Sequence, residues 1–355
     1  MRQKYRPVLV VVIVLLCAAA VGWAWRHWDA GALKAPGSKV IRTCCQFGYD
    51  VPYFIWPFGS AEKLTSFDQL GPHVYLGDKS ENNGILYTHR GGFIDMGHLR
   101  DYADWTYYLH HRIRKAVSAH SDTLVLYLGT EGGEKYLVVF LDSFPANDEN
   151  IIRLAGYMAF QLGIWHEIAT WYGVSFIPFI PEQYSSFSPE DLYSNGLGVE
   201  LGTKALRTPG SYTKNMTRLI RSTLNDLLPV STIDDTKRAM DKVEGIWWNK
   251  DVYLPSGALL KRRYYDIHPP LYPWRLPEDE DKYPPHAVYF DTTTTDGTPL
   301  DLFFRFEIHA NEKIPVTKIF GYPKTVLTHR DFDTLIAQIR REEQSGAHLQ
   351  KHQPQ

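Results

Sequence analysis

Residues 151–172, IIRLAGYMAFQLGIWHEIATWY, constrain the fold more than any other stretch of the chain. The run has helical length and is almost free of charge, which predicts a helix buried on most of its circumference. On a 100°-per-residue wheel, Gly156, Gly163 and Glu167 fall within about 40° of one another. Ala159, His166 and Thr170 occupy the neighbouring stripe. Small residues there let another backbone come close, and His166 and Glu167 then point into the contact. A buried charge left unpaired is costly, so such groups are paired, hydrogen-bonded or bound to a metal.

The rest of the chain divides readily. Arg2, Lys4 and Arg6 precede an uncharged run from Pro7 to Trp25, long enough at about 1.5 Å per residue to span roughly 28 Å. Trp23, Trp25 and Trp28 lie where an interfacial belt belongs. Residues 1–28 therefore read as an N-terminal transmembrane anchor through 7–25, with the N-terminus cytoplasmic and the domain in the periplasm at a bacterial inner membrane. The alternative is a cleaved signal peptide, with Ala18-Ala19-Ala20 or Ala30-Gly31-Ala32 as processing sites. Residues 29–39 form a linker, 40–345 one globular domain and 346–355 a disordered tail.

The 38 basic and 40 acidic residues nearly balance, which argues against a nucleic-acid partner. Three cysteines make no disulfide framework. Cys44 and Cys45 are adjacent, and the bland reading of small buried residues is preferred over a redox pair.

Within the domain, residues 93–118 predict a long helix, and 123–129 with 135–141 a hairpin around Thr130–Glu134. Helices follow from Ser188 to about Leu206, over 213–228 and over 232–244. Residues 246–290 form a Pro- and Trp-rich cover, 300–309 a strand and 329–344 a final helix. The fold class is α+β: a mainly helical core with a small antiparallel sheet.

A second polar cluster lies in YTHRGGFIDMGHLRDYADW (87–105). Asp95 and His98 are three residues apart and share a helix face, Asp101 stands about 60° from His98, and Asp104 faces the solvent. Gly91-Gly92 would open a helix N-terminus to an anion, with Arg90 beside it for a phosphate or carboxylate. Joined to the first helix, these residues suggest a divalent metal site, zinc above all, with Asp95, His98 and His166 as ligands and Glu167 as general base. Adjacent residues diverge by about 100° on a helix, so His166 and Glu167 are expected to divide the two roles. Glu190 and Asp191 are further oxygen donors, and Arg90 and Asp101 complete the candidate set. Thr170 replaces the second histidine of H-E-x-x-H, which disfavours a zincin protease. A purely structural hydrogen-bond network through the same residues stays open.

The blocks RGGFIDMGHLRDYADW, WHEIATWYG and FSPEDLYSNGLG resemble a bacterial family of unknown function, the one numbered 4056, over residues 40–345. The resemblance implies one domain and an envelope protein whose opening carries a vicinal cysteine pair; it implies no catalytic assignment. Two functions follow as expectations. One is an envelope-anchored, metal-dependent hydrolase of phosphoester, lipid or cell-wall bonds. The other is a non-catalytic module binding a lipid, glycan or protein through the aromatic loops Tyr49–Phe58 and Tyr264–Tyr283.

Overall fold

The computed structural model describes residues 33–36, 42, 46–52, 63–174 and 182–346, and everything from Pro36 onward belongs to one unit. The expected anchor at 7–25, Cys44-Cys45, and the tail beyond Gly346 lie outside the described residues. No helix among those described is long and apolar enough to cross a membrane.

The chain runs β1 (Ile85–Thr88), β2 (Gly92–Asp95), α1 (Met96–Ser118), β3 (Thr123–Thr130), β4 (Gly133–Phe140) and α2 (Asp148–Trp171). It continues through α3 (Asp191–Arg207), α4 (Tyr212–Asp226), α5 (Ile233–Asp241), α6 (Pro277–Glu280), β5 (Phe304–Ala310), α7 (Val316–Phe320), β6 (Leu327–Thr328) and α8 (Phe332–Gln344). The fold is α+β with two small antiparallel sheets, β1-β2 and β3-β4-β5-β6.

Helix α2 is the centre of the fold. Asn147 caps it by accepting from the Asn150 N–H, Asp148 and Glu149 sit at its positive end, and Gly173 follows its C-terminus at φ +81°. From Asn150 to Trp171 only Arg153, Tyr157 and His166 escape full burial. α1, α2 and α3 pack on one another. The small-residue stripe of α2 meets α3: a methyl on Gly156 would stand 2.8 Å from the Thr203 side chain, and one on Gly163 would stand 2.9 Å from Asn195 Nδ2. α3 in turn lies against the backbone of α1, where a Cβ on Gly198 would come within 2.1 Å of the Leu99 carbonyl oxygen. Three helices are thereby brought close enough for short polar side chains to meet between them.

The start of α1 differs from the sequence reading. Residues 92–95 extend as β2, so Gly91 and Gly92 turn a hairpin and open no helix N-terminus. Gly92 holds φ +64° with the Trp274 carbonyl where a side chain would be, which glycine alone tolerates. Asp104, expected in solvent, is fully buried between Arg42, His73 and Tyr212. The cover at 246–290 packs inward as expected. Trp247, Trp248, Tyr264 and Leu271 are buried, and Trp274 lies 5.5 Å from the Trp247 ring and 5.9 Å from that of Tyr264.

Candidate functional site

Three helix ends and one hairpin turn converge on His98. Asp95 is the last residue of β2 and caps α1; its Oδ1 accepts from the N–H of Gly97 at 2.6 Å and of His98 at 3.0 Å. That cap places His98 in the first turn of α1. Its Nδ1 stands 2.7 Å from Asp191 Oδ1 and 3.9 Å from Asp95 Oδ2. Asp191 is the first residue of α3, and its other oxygen accepts from Ser188 Oγ at 2.9 Å. Ser194, one turn further, accepts from the Asp95 N–H, tying the two helix starts together.

From the C-terminal half of α2 come His166 and Glu167. The His166 ring centroid is 6.0 Å from that of His98, and its Nδ1 lies 2.7 Å from Glu131 Oε1 in the β3–β4 turn. Glu131 is itself held firmly. Its Oε2 accepts from Lys135 Nζ at 2.7 Å, and its main-chain oxygen accepts from Trp165 Nε1 at 2.8 Å. Glu167 Oε2 accepts from the Phe187 N–H at 2.5 Å, while Oε1 meets no hydrogen-bond donor among the described residues. Phe187 is fully buried at φ +54°, a strained conformation for a side chain of this size, and it aims that N–H at the carboxylate.

Ligand-capable atoms of His98, His166 and Glu167 lie within 4.8 Å of one another, and so do those of Asp95, His98 and Asp191. The structure thus brings together Asp95, His98, His166, Glu167 and Asp191. Asp95 belongs on the Asp191 side of His98, because it is spent on capping and does not group with His166. His166 and Glu167 reach a common point despite being adjacent in sequence. Their side chains are long enough to bend back across the 100° that separates their Cβ directions.

Arg90 and Asp101 are not part of the cluster. Arg90 donates to the carbonyls of Pro284 and Asp226, in a cleft it shares with Lys204 and His286. Asp101 accepts from Arg42, which also binds Asp104 and Glu81. Glu131 and Phe187, by contrast, were not singled out from sequence. The hairpin turn was readable, but nothing local shows which helix it touches.

The charge balance is lopsided. Burial and the neighbouring Asp191 push the Glu167 carboxyl up to about 7. Burial, with Asp191 and Asp95 close by, pushes Glu190 well above the carboxylate range. Burial also works against Glu131, but Lys135 and His166 outweigh it and hold that group well below its ordinary value. Helix N-termini offset part of the crowding at Asp95, Glu190 and Asp191. Arg263, itself buried, is a cation whose charge acts on Glu167 and offsets part of this negative charge; a divalent cation among the carboxylates around His98 would offset more.

A family model described as a protein of unknown function (DUF4056) matches residues 31–277, a span that includes every residue of this cluster. No curated protein and no solved structure matches the chain. With well over half its length under that one model, the chain belongs to the DUF4056 family.

Proposed function

We propose that this protein is a metal-dependent hydrolase with one divalent cation, zinc in the first place, held by His98, His166 and Glu167. The observation that carries the proposal is the meeting of these three groups within 4.8 Å, each histidine with Nδ1 against a carboxylate. A histidine oriented through Nδ1 coordinates through Nε2, and the carboxylate behind it fixes the tautomer and raises its basicity. Glu131 serves His166 in this way, and Asp191 Oδ1 stands 2.7 Å from His98 Nδ1. Asp95 sets the position of His98 through the cap of α1. Glu167, expected as the base, is assigned instead as the third ligand through Oε1, which meets no hydrogen-bond donor among the described residues.

Three protein ligands leave a position for water or substrate, and the ion supplies Lewis acidity there. Residues 7–25 complete the proposal as the membrane anchor, with the domain outside the cytoplasm. Elemental analysis of the purified protein is the test. We expect about one zinc per chain, lost in His98→Ala and His166→Ala. A folded, metal-free protein whose melting ignores chelators would count decisively against this function.

A further inference from the structure

We propose a second cation site on the Asp191 side of His98, where Asp95, Glu190 and Asp191 hold a hard divalent ion, Mg²⁺ or Mn²⁺. The inference goes beyond the zinc reading and does not depend on it, because different atoms carry it.

Carboxylate oxygens without a donor locate the site. Asp191 Oδ1 and both oxygens of Glu190 meet no hydrogen-bond donor among the described residues, and each residue is only 1 % exposed. The donors close at hand are already used. Asp95 Oδ1 takes the N–H groups of Gly97 and His98 at the start of α1. The Ser188 hydroxyl has one proton and gives it to Asp191 Oδ2. Glu190 stands at the N-cap of α3 yet makes no side-chain cap bond there. Its carboxylate lies instead where the charges of Asp191 and Asp95 act on it most strongly. Buried polar atoms of this kind are satisfied by a donor, an ordered water or an ion. Water would leave the mutual repulsion of three carboxylates in place, whereas a dication reverses it.

The spacing and the donor set fit such an ion. Asp191 Oδ1 and Asp95 Oδ2 stand 2.7 Å and 3.9 Å from His98 Nδ1, so each presents an oxygen to the same space beside the ring. Ligand-capable atoms of Asp95, His98 and Asp191 all lie within 4.8 Å of one another. Glu190, next to Asp191 in the chain, adds the third carboxylate. Arg263 is the buried cation of this region, and it interacts with Glu167 and Glu343, whereas the strongest charges on Glu190 are both negative. Three carboxylates make a hard site suited to Mg²⁺ or Mn²⁺, while the two histidines favour zinc for the other group. An ion here ties the start of α1 to the start of α3 and so fixes His98 between them.

The full chain, given a single equivalent of zinc, is titrated with Mn²⁺ while the electron paramagnetic resonance signal of the aqueous ion reports what stays free. We expect about one Mn²⁺ to bind per chain with the zinc retained, and Glu190→Gln to weaken Mn²⁺ binding at least about tenfold without loss of zinc. Asp191→Asn still accepts from Ser188 and should weaken Mn²⁺ binding likewise, which keeps the test open should Glu190→Gln not fold. His166→Ala should lose zinc and still take up Mn²⁺. No Mn²⁺ uptake by the zinc-loaded chain, as a proton shared between Glu190 and Asp191 would give, overturns the second site and leaves the zinc centre standing. Mn²⁺ uptake matched by zinc release, or equal affinity in the wild type and both variants, overturns it too. A chain that refuses zinc but binds Mn²⁺ through Glu190 supports this site and refutes the zinc centre alone.

Discussion

Glu167→Gln tests whether the centre is built at the expense of the empty protein. Burial and Asp191 raise the Glu167 carboxyl to about 7 in the folded chain, against 4.5 for an ordinary glutamate. In the unfolded chain it therefore ionises first. As pH climbs from 4.5 to 7 the unfolded state gives up this proton while the folded state keeps it, so the metal-free protein loses stability over that window. At about 1.4 kcal/mol per unit, the loss levels off near ~3 kcal/mol above pH 7. Glutamine has the same shape, still accepts from the Phe187 N–H, and carries no charge. Metal-free Glu167→Gln should match the wild type at pH 4 and exceed it by about 3 kcal/mol at pH 8. The assay is urea unfolding in chelator at the two pH values. The charges of Asp191, His166 and His98 act on Glu167 and are part of the effect, whereas groups remote from it are common to both proteins and cancel. Zinc should reverse the order at pH 8, stabilising the wild type and leaving the variant unchanged. A variant that is weaker than the wild type by the same amount at both pH values would refute the reasoning, because Glu167 would then be an ordinary packed hydrogen-bond acceptor.

Glu131→Gln keeps a hydrogen-bond acceptor for His166 but loses the charge behind it, and zinc affinity by competition with a fluorescent chelator should fall about 10- to 100-fold with little change in melting temperature. Gly198→Ala puts a methyl 2.1 Å from the Leu99 carbonyl oxygen, and chemical denaturation should register a loss of about 3 kcal/mol or more as α1 and α3 are forced apart. Trp274→Ala empties a packed aromatic cluster. The expected result is a stability loss of about 3 kcal/mol in the same assay, with zinc content unchanged.

Much of the helical frame was legible because helix signals are local. The almost uncharged run ending in His166 and Glu167 could only be buried, and its glycines could only be there for a close neighbour. Both readings hold in α2, which meets α3 at Gly156 and Gly163. The β3–β4 hairpin and the helix containing Glu190 and Asp191 were readable for the same reason, although that helix starts at Asp191 and Ser188 bonds the Asp191 side chain instead of capping. What could not be read is which face meets which. The run 93–118 carries helix periodicity, yet its first residues pair with β1. This turns Asp95 from a face residue into a cap and separates it from His166. Asp101 looks like a companion of His98 and Asp104 like a solvated acid until Arg42, about sixty residues earlier, is placed between them. Glu131 carries no signal of its own, since a glutamate in a glycine turn is ordinary until a distant histidine is found 2.7 Å away.

The turn between β3 and β4 is gripped by two successive residues of one helix, Trp165 on its main chain and His166 on its side chain. Such a grip has a definite phase. Inserting or deleting one residue in α2 between Asp148 and Trp165 would swing both partners by about 100° and lift them off the turn together. Length changes should therefore be poorly tolerated in that stretch of the helix, however gentle the residue chosen. The edge of the sheet far from the turn is under no such constraint. The sheet and the helices are in this sense geared, and the tooth that meshes them is a single glutamate.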